Sequence, residues 1–309
     1  MGTFVNGQVQ GNFWVGMVNG GNLHGKVDEN GQITGDEIAY IYPDGETAFK
    51  GRFENRIMKK AYNVDVKEYG CDENGLFIVK KFSEPLTDEI FKYEPTTNIS
   101  FGGGNSLDVR DPYEVKTVKL GPSKIPNSGE GVVLVRDIPS HRFASLYSLF
   151  LYKSPDQDLL YQQSCTYNTS KSDEYRRHCK KYSLGLSYYD ALIDLPPELD
   201  VNPLPNLGPK VNHHFRQNNS VYQETEHPRF GVMQTVTPMY DLKAGDELFT
   251  YYGYGVSDFP ADFLWYHETK QQIEREERIE RQKKEKEEKL KSKKAGDKGK
   301  KKKKSKKTK

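Results

Sequence analysis

Short runs of apolar, aromatic and β-branched residues, each closed by a turn-forming pair, set the pattern of the first sixty residues. Asn6-Gly7, Asn19-Gly20, Asn30-Gly31 and Asp44-Gly45 are pairs that tolerate positive φ and so suit tight hairpins. Between them, Asn12-Phe13-Trp14-Val15 and Ile38-Ala39-Tyr40-Ile41-Tyr42 carry side chains that pack well on a pleated surface. The pattern predicts strands over residues 1–62. Gly25-Lys26-Val27-Asp28-Glu29-Asn30 and Gly51-Arg52-Phe53-Glu54-Asn55 share a glycine, a basic and an apolar residue leading into Glu-Asn. Such a degenerate repeat indicates a single meandering antiparallel sheet.

Residues 63–110 mix polar and apolar positions and are expected to form a connecting β or linker region. Gly102-Gly103-Gly104 marks a break, without the lysine and helix start that a phosphate cradle requires. Beyond Asp111-Pro112-Tyr113-Glu114, short β-type runs return, as in Gly131-Val132-Val133-Leu134-Val135 and Ala191-Leu192-Ile193-Asp194-Leu195. No long amphipathic helix interrupts them, so a second, mostly β domain is expected over residues 111–270. From Gln271 to Glu288, acids alternate with bases at helical spacing, such as Glu274 with Arg278 and Glu277 with Arg281. An exposed charged helix followed by a disordered lysine-rich tail is expected over residues 271–309.

Charge changes this picture most. The formal net charge is +2, but Lys289 to Lys309 holds thirteen lysines against one acid, Asp297. That tail contributes +12, so the +2 total leaves −10 for the rest of the chain. An acidic body attracts basic peptides and repels nucleic acid. A lysine tract without aromatics cannot bury a core. It could engage a nuclear import factor or nucleic acid, or simply keep the protein in solution. At 309 residues and 35% hydrophobic content, the chain can form one good-sized core and a smaller partner domain. No apolar run approaches the ~18 residues of a membrane span, and Met1-Gly2-Thr3-Phe4 lacks the marks of a signal peptide. A soluble intracellular protein with no membrane partner is expected. Cys71, Cys165 and Cys179 are too few and too scattered for a disulfide framework or a metal cluster, and are expected to be small buried hydrophobes.

Three segments of the second domain carry chemistry: Ser128-Gly129-Glu130-Gly131, Val211-Asn212-His213-His214-Phe215, and Asp246-Glu247-Leu248-Phe249-Thr250-Tyr251-Tyr252-Gly253-Tyr254. Taken singly they read as a glycine turn, a polar loop and an aromatic edge strand. In this order on one β-rich chain they resemble the SET-domain lysine methyltransferases. Tyr40-Ile41-Tyr42-Pro43-Asp44-Gly45 and Phe49-Lys50-Gly51-Arg52-Phe53 resemble MORN repeats. With His227-Pro228-Arg229-Phe230-Gly231 added, the chain resembles the MORN-bearing histone lysine-4 monomethyltransferases of animals.

The resemblance implies a MORN-repeat sheet followed by a knotted β SET domain, with S-adenosylmethionine as cofactor, no metal, and a histone tail or other basic protein as partner. It implies that Gly129, Glu130 and Gly131 hold the methionine part of the cofactor through backbone groups, with Asn212 and His213 at its amino group and adenine. Tyr252 takes the place of the family's catalytic tyrosine, with Tyr147, Tyr222 and Tyr254 walling the substrate-lysine channel. Trp265 packs on the cofactor side, and Glu268 is the candidate acidic cofactor contact. In the family the Asn-His segment threads beneath the strand that carries this tyrosine. The sequence departs from the pattern at His214, where serine is usual, and at Ser148-Leu149, where Asn-Gly is usual. One extra residue also lies between Asn212 and Tyr222, and the segment after Trp265 is offset.

Such chemistry needs no dedicated base. A free lysine with pKa about 10.4 is only about one part in 2,500 neutral at pH 7, yet burial beside a sulfonium lowers that pKa through desolvation and like-charge repulsion. A narrow aromatic channel then contributes by positioning. Hydroxyls from Tyr147 and Tyr222 around the amine leave little room for a second methyl, so a monomethyl product is expected. The resemblance to histone methyltransferases implies the nucleus as location, with the cytoplasm a second one. Two other readings stay open: a SET-like scaffold without activity that binds lysine-rich peptides, and a membrane-docking MORN adaptor. Cofactor affinity separates the first from the enzyme, and binding to liposomes identifies the second.

Overall fold

The computed structural model describes residues 1–93, 109–147, 150–153, 184–186, 191–194, 206–214, 216–252, 271 and 274–289. One compact unit comprises residues 1–124 and 130–253, and a second comprises residues 125–129 and 254–309. The Gly102-Gly103-Gly104 break, Cys165, Cys179 and the tail beyond residue 289 lie outside the described residues.

The fold is mostly β, as the pattern predicts. Strands β1 (Gly2–Val5), β2 (Gln8–Gly16), β3 (Asn22–Lys26), β4 (Gly35–Ile41), β5 (Thr47–Glu54), β6 (Ile57–Cys71) and β7 (Phe77–Phe82) form one sheet in sequence order. Every neighbouring pair is antiparallel. Val5 faces Gln8 across Asn6-Gly7, whose φ values of 51° and 79° make the two-residue turn that suits right-handed strand twist. Glu54 faces Ile57 across a second such turn, Asn55-Arg56, at φ 51° and 69°. That turn contains no glycine, which is why it carries little signal in the sequence. The repeat's glycine has a steric reason at Gly51, where a Cβ would lie 2.2 Å from the Lys60 carbonyl oxygen on β6.

β6 crosses residue 62 without a break and pairs with β7, so the sheet runs through much of the segment expected to connect the two parts. Cys71, at its end, is exposed, contrary to the buried position expected for it. A polar environment at the strand end, next to the Asp72 turn, explains the difference.

The stretch Ile38 to Tyr42 is buried on both sides, with no residue above 1% exposed. Ala39 and Ile41 pack with Ala48, Val64 and Val79 on one face. Tyr40, Tyr42, Phe49 and Phe53 join Tyr113, Phe143, Leu146, Phe230 and Met233 on the other. The sheet therefore shares its core with the chain that follows it.

That junction is built on helix α1 (Pro112–Thr117). Asp111 caps it, accepting from the amides of Tyr113 at 3.0 Å and Glu114 at 3.2 Å, and Pro112 at the first turn fits the rule for helix starts. Asp111 also accepts a hydrogen bond from the Tyr42 hydroxyl. The Tyr42 and Tyr113 rings stack with centroids 4.9 Å apart and planes 3° from parallel. Arg136 lies 4.9 Å over Tyr113 and pairs with Asp44 at 3.1 Å.

The remainder of this unit is a set of small sheets. β8 (Val118–Pro122) and β9 (Glu130–Leu134) are antiparallel. β10 (Ser145–Tyr147) is followed by β11 (Phe150–Lys153), β12 (Leu184–Leu186) and β13 (Ala191–Asp194), the last three ordered β11-β13-β12. A 3₁₀ turn at Gly208–Lys210 leads into β14 (Asn212–His213). β15 (Ser220–His227) and β16 (Gly231–Pro238) are antiparallel, with β10 on the other edge of β16. β17 (Phe249–Thr250) pairs in parallel with β14. In the second unit, helix α2 covers residues 274–289. Its Glu277–Arg281 and Glu280–Lys284 pairs, at 3.6 and 2.9 Å, follow the expected i,i+4 spacing.

Glu114 is fully buried. Its Oε1 accepts from the Ser145 hydroxyl at 2.5 Å, the Leu146 amide at 3.0 Å and the Leu207 amide at 2.9 Å, which ties α1 to β10 and to the turn before β14. Burial pushes its carboxyl pKa up to about 7. Between about 4.5 and 7 the folded chain then holds a proton that the unfolded chain does not, so this group lowers stability as pH rises through that window and is level above it. The slope is of order 1 kcal/mol per pH unit. In denaturant titrations at pH 5 and pH 8, Glu114→Gln is expected to lose less stability than the wild type on going to the higher pH. Identical pH dependence in the two proteins would remove this role.

Candidate active site

Three stretches that are distant in sequence converge beside β9. Backbone bonds from Leu134 N–H to Asp246 C=O at 2.9 Å and from Leu248 N–H to Val132 C=O at 2.8 Å lay the Asp246–Leu248 segment along β9. Asn212 and His213 then pair in parallel with Phe249 and Thr250, and the His214 amide donates to Thr250 at 3.1 Å. Asn219 fastens the same segment. Its side chain donates to the Glu247 carbonyl at 2.8 Å and accepts from the Phe249 amide at 2.9 Å. The chain leaving β17 thus enters Tyr251-Tyr252 directly over the Asn-His strand.

Tyr252 is held by that strand at two points. Its amide donates to His213 Nδ1 at 3.1 Å, and its hydroxyl donates to the Val211 carbonyl at 2.7 Å. The His213 and Tyr252 rings are 5.3 Å apart. Burial lowers the His213 pKa to about 4, so at neutral pH the ring is uncharged, with Nδ1 accepting and the proton on Nε2.

Asn212 faces the β8–β9 hairpin. Its Nδ2 donates to the Glu130 carbonyl at 2.9 Å and reaches Glu247 Oε1 at 3.5 Å, which leaves Oδ1 as the acceptor for another group. Glu130 takes part through its carbonyl, while its side chain is exposed. Gly131 has a reason that the sequence does not show. A Cβ there would lie 2.0 Å from Glu247 Oε1 and 3.2 Å from Asn212 Nδ2. The space is occupied by the protein's own polar groups, so glycine is needed here for packing. Gly129 belongs to the second unit and has φ +77°, a conformation that favours glycine.

Tyr147 and Tyr222 meet edge to face at 5.5 Å. They stand on the outer strands of the β10-β16-β15 sheet, opposite Gln234 and Val236 of the central strand. The Ser220 hydroxyl, two residues before Tyr222, donates to the Phe249 carbonyl at 2.9 Å, so β15 ties this pair to the strand leading to Tyr252. Tyr254, Trp265 and Glu268 lie outside the described residues. Among the described residues there is no group of His, Cys, Asp and Glu that could hold a metal ion, and no helix long and apolar enough to cross a membrane.

Residues 4–70 match the family model for the N-terminal region of the histone H3 K4-specific methyltransferase SET7. The histone-lysine N-methyltransferase SETD7 of Halocynthia roretzi is 32% identical over 245 residues, covering 77% of this chain and 57% of that protein. The chain is similar to that protein over most of its own length. It spans little more than half the length of that relative. A 5'-nucleotidase of Homo sapiens is 25% identical over 152 residues, covering 46% of this chain and 24% of that protein. Among solved structures, ctPRC2 in an autoinhibited conformation bound to S-adenosylmethionine aligns with 52% of this chain and 17% of its own. It does so at 23% identity and a TM-score of 0.32.

Two buried residues of this candidate site escape a motif-level reading. Asn219 lies between the motifs, and Glu247 lies inside one but reads as an ordinary polar strand residue. The cue for Glu247 is an acid directly before Leu248-Phe249, since a carboxylate entering an apolar run must find donors.

Gly121 and Gly131 face each other in the β8–β9 hairpin, but a Cβ at Gly121 would only touch a Val133 methyl at 3.3 Å. Gly131→Ala is therefore expected to cost roughly 1–3 kcal/mol by overpacking, and Gly121→Ala much less, as read by denaturant titration. Equal costs would show that Glu247 and Asn212 do not fill the Gly131 site.

Proposed function

We propose that the chain is a protein-lysine N-methyltransferase that uses S-adenosylmethionine and acts on a basic protein such as a histone tail. The observation that carries this reading is the hold of the Val211–His213 segment on Tyr252, through the bonds to His213 Nδ1 and the Val211 carbonyl. It brings the candidate cofactor strand and the candidate channel tyrosine together from stretches forty residues apart.

The residues present suit this cofactor. Its ammonium group needs acceptors, and with Nδ2 bound to the Glu130 carbonyl Asn212 can offer Oδ1 as one. A neutral His213 adds no positive charge next to a sulfonium. Glu130, Gly131, Asn212 and His213 would hold the cofactor, which when bound supplies an electrophilic methyl group. With its proton directed to Val211, the Tyr252 oxygen presents lone pairs that tolerate a cationic neighbour and help to orient the incoming amine. The Tyr147 and Tyr222 pair would wall the amine's approach and limit the product to the monomethyl state. By the family pattern, Gly129, Trp265 and Glu268 are further candidate cofactor residues and Tyr254 a further candidate channel residue. The −10 charge of residues 1–288 suits a lysine-rich substrate, and work on histones would place the protein in the nucleus, with the lysine tail available to an import factor or nucleic acid.

Incubation with labelled S-adenosylmethionine and histone-tail peptides tests the reading. Wild type is expected to label the peptide, and Asn212→Ala and Tyr252→Phe are expected to fall by about two orders of magnitude, as misplacement of reacting groups does. Equal labelling by all three would end it. Mass spectrometry of the wild-type product is expected to find monomethyl-lysine, and a mainly dimethylated product would refute the role given to Tyr147 and Tyr222.

A further inference from the structure

We propose that Glu247 is a positioning residue for the cofactor subsite, joining the two arms of the β8–β9 hairpin to Asn212 and so setting cofactor affinity. This rests on the methyltransferase reading above and names a residue that reading does not use.

Glu247 is 1% exposed. On the incoming arm, Oε1 accepts from the Ser123 hydroxyl at 2.6 Å and Oε2 from the Lys124 amide at 2.6 Å. On the outgoing arm, Oε1 sits where a side chain of Gly131 would be. The same oxygen is 3.5 Å from Asn212 Nδ2, which also holds the Glu130 carbonyl. One carboxylate therefore reaches residues 123, 124, 131 and 212, while its own backbone is fixed by the bridge to Val133 and by Asn219. These contacts lie on the hairpin and on Asn212, the side of the site given to the cofactor, so the expected consequence lies in cofactor binding more than in methyl transfer.

The chemistry demands a carboxylate. Among the described residues, the Ser123 hydroxyl, the Lys124 amide and Asn212 Nδ2 each donate to its oxygens. A glutamine placed with its oxygen towards Ser123 and Asn212 would turn its NH₂ on the Lys124 amide, and the flipped amide would turn it on Asn212. Either way donor meets donor in a buried place, and the hairpin or Asn212 has to move.

The test combines calorimetric binding of S-adenosylmethionine with steady-state kinetics on full-length wild type, Glu247→Gln, Ser123→Ala and Tyr252→Phe, with thermal unfolding run on each. Glu247→Gln is expected to raise both Kd and KM for the cofactor about tenfold, with kcat at saturating cofactor falling less than threefold. Ser123→Ala should raise both constants two- to fivefold, and Tyr252→Phe should lower kcat with Kd near wild type. A folded Glu247→Gln with wild-type Kd and KM, or with kcat lost and KM kept, overturns the proposal. So does a lowered melting temperature without a change in affinity. If Glu247→Gln does not fold, Ser123→Ala decides: weakened binding supports the role and unchanged binding overturns it. Failure of the wild type itself to bind S-adenosylmethionine would defeat the methyltransferase reading instead, and this inference with it.

Discussion

A carboxylate taken out of water must recover its hydrogen bonds inside the protein, because an unpaired buried charge costs several kcal/mol. Glu247 meets that demand by drawing donors from two separate stretches, the β8–β9 arm at Ser123 and Lys124 and the Asn212 strand. The apolar residues Val132, Leu134, Val211 and Leu248, on the strands that meet here, are all within 1% of full burial and belong to one core cluster. The location of Glu247 also dictates a glycine at position 131. The short parallel pair of β14 and β17, only two residues on each strand, is too small to be stable by itself. It persists because Glu247 and Asn219 fix the segment that precedes it.

The N-terminal sheet is joined to this region by an aromatic core and by two buried acids on one short helix. Six residues of helix are far below the length that is stable alone in water, so α1 depends on what Asp111 and Glu114 bind. Asp111 reaches back to Tyr42 in the sheet, and Glu114 reaches forward to β10 and Leu207. Burial raises the pKa of both carboxyls. A sheet held this way is a structural part of the same compact unit as the Asn212 and Tyr252 strands, since its Tyr40 and Tyr42 also pack on His227, the first residue of the His-Pro-Arg-Phe-Gly motif. Buried among these rings, His227 has its pKa lowered to about 3 and is neutral.

The hairpin pairs, the alternating strands, the exposed charged helix and the acidic body with its basic tail were all legible along the chain, because each depends on residues within a few positions of one another. The Asn55-Arg56 turn and the run of the sheet to Phe82 were not. The first uses positive φ without glycine, and the second depends on β6 staying paired across residue 62, which no local composition announces. The pairing of Asn212-His213 with the strand before Tyr252 came from likeness to a family, as nothing in periodicity says that residues 212 and 249 are neighbours.

The sequence by itself determined where strands and turns form, which residue types are available for amine chemistry, and how charge is divided along the chain. Only the tertiary structure decided why Gly131 must be glycine, which atom of Asn212 is bound within the protein, and that Glu247 meets Ser123, Lys124 and Asn212. The physical reason is range. Turn and strand preferences arise from neighbouring backbone sterics, whereas the partners of a buried polar group are whatever the packed chain brings within 3 Å, here from as far as 124 positions away.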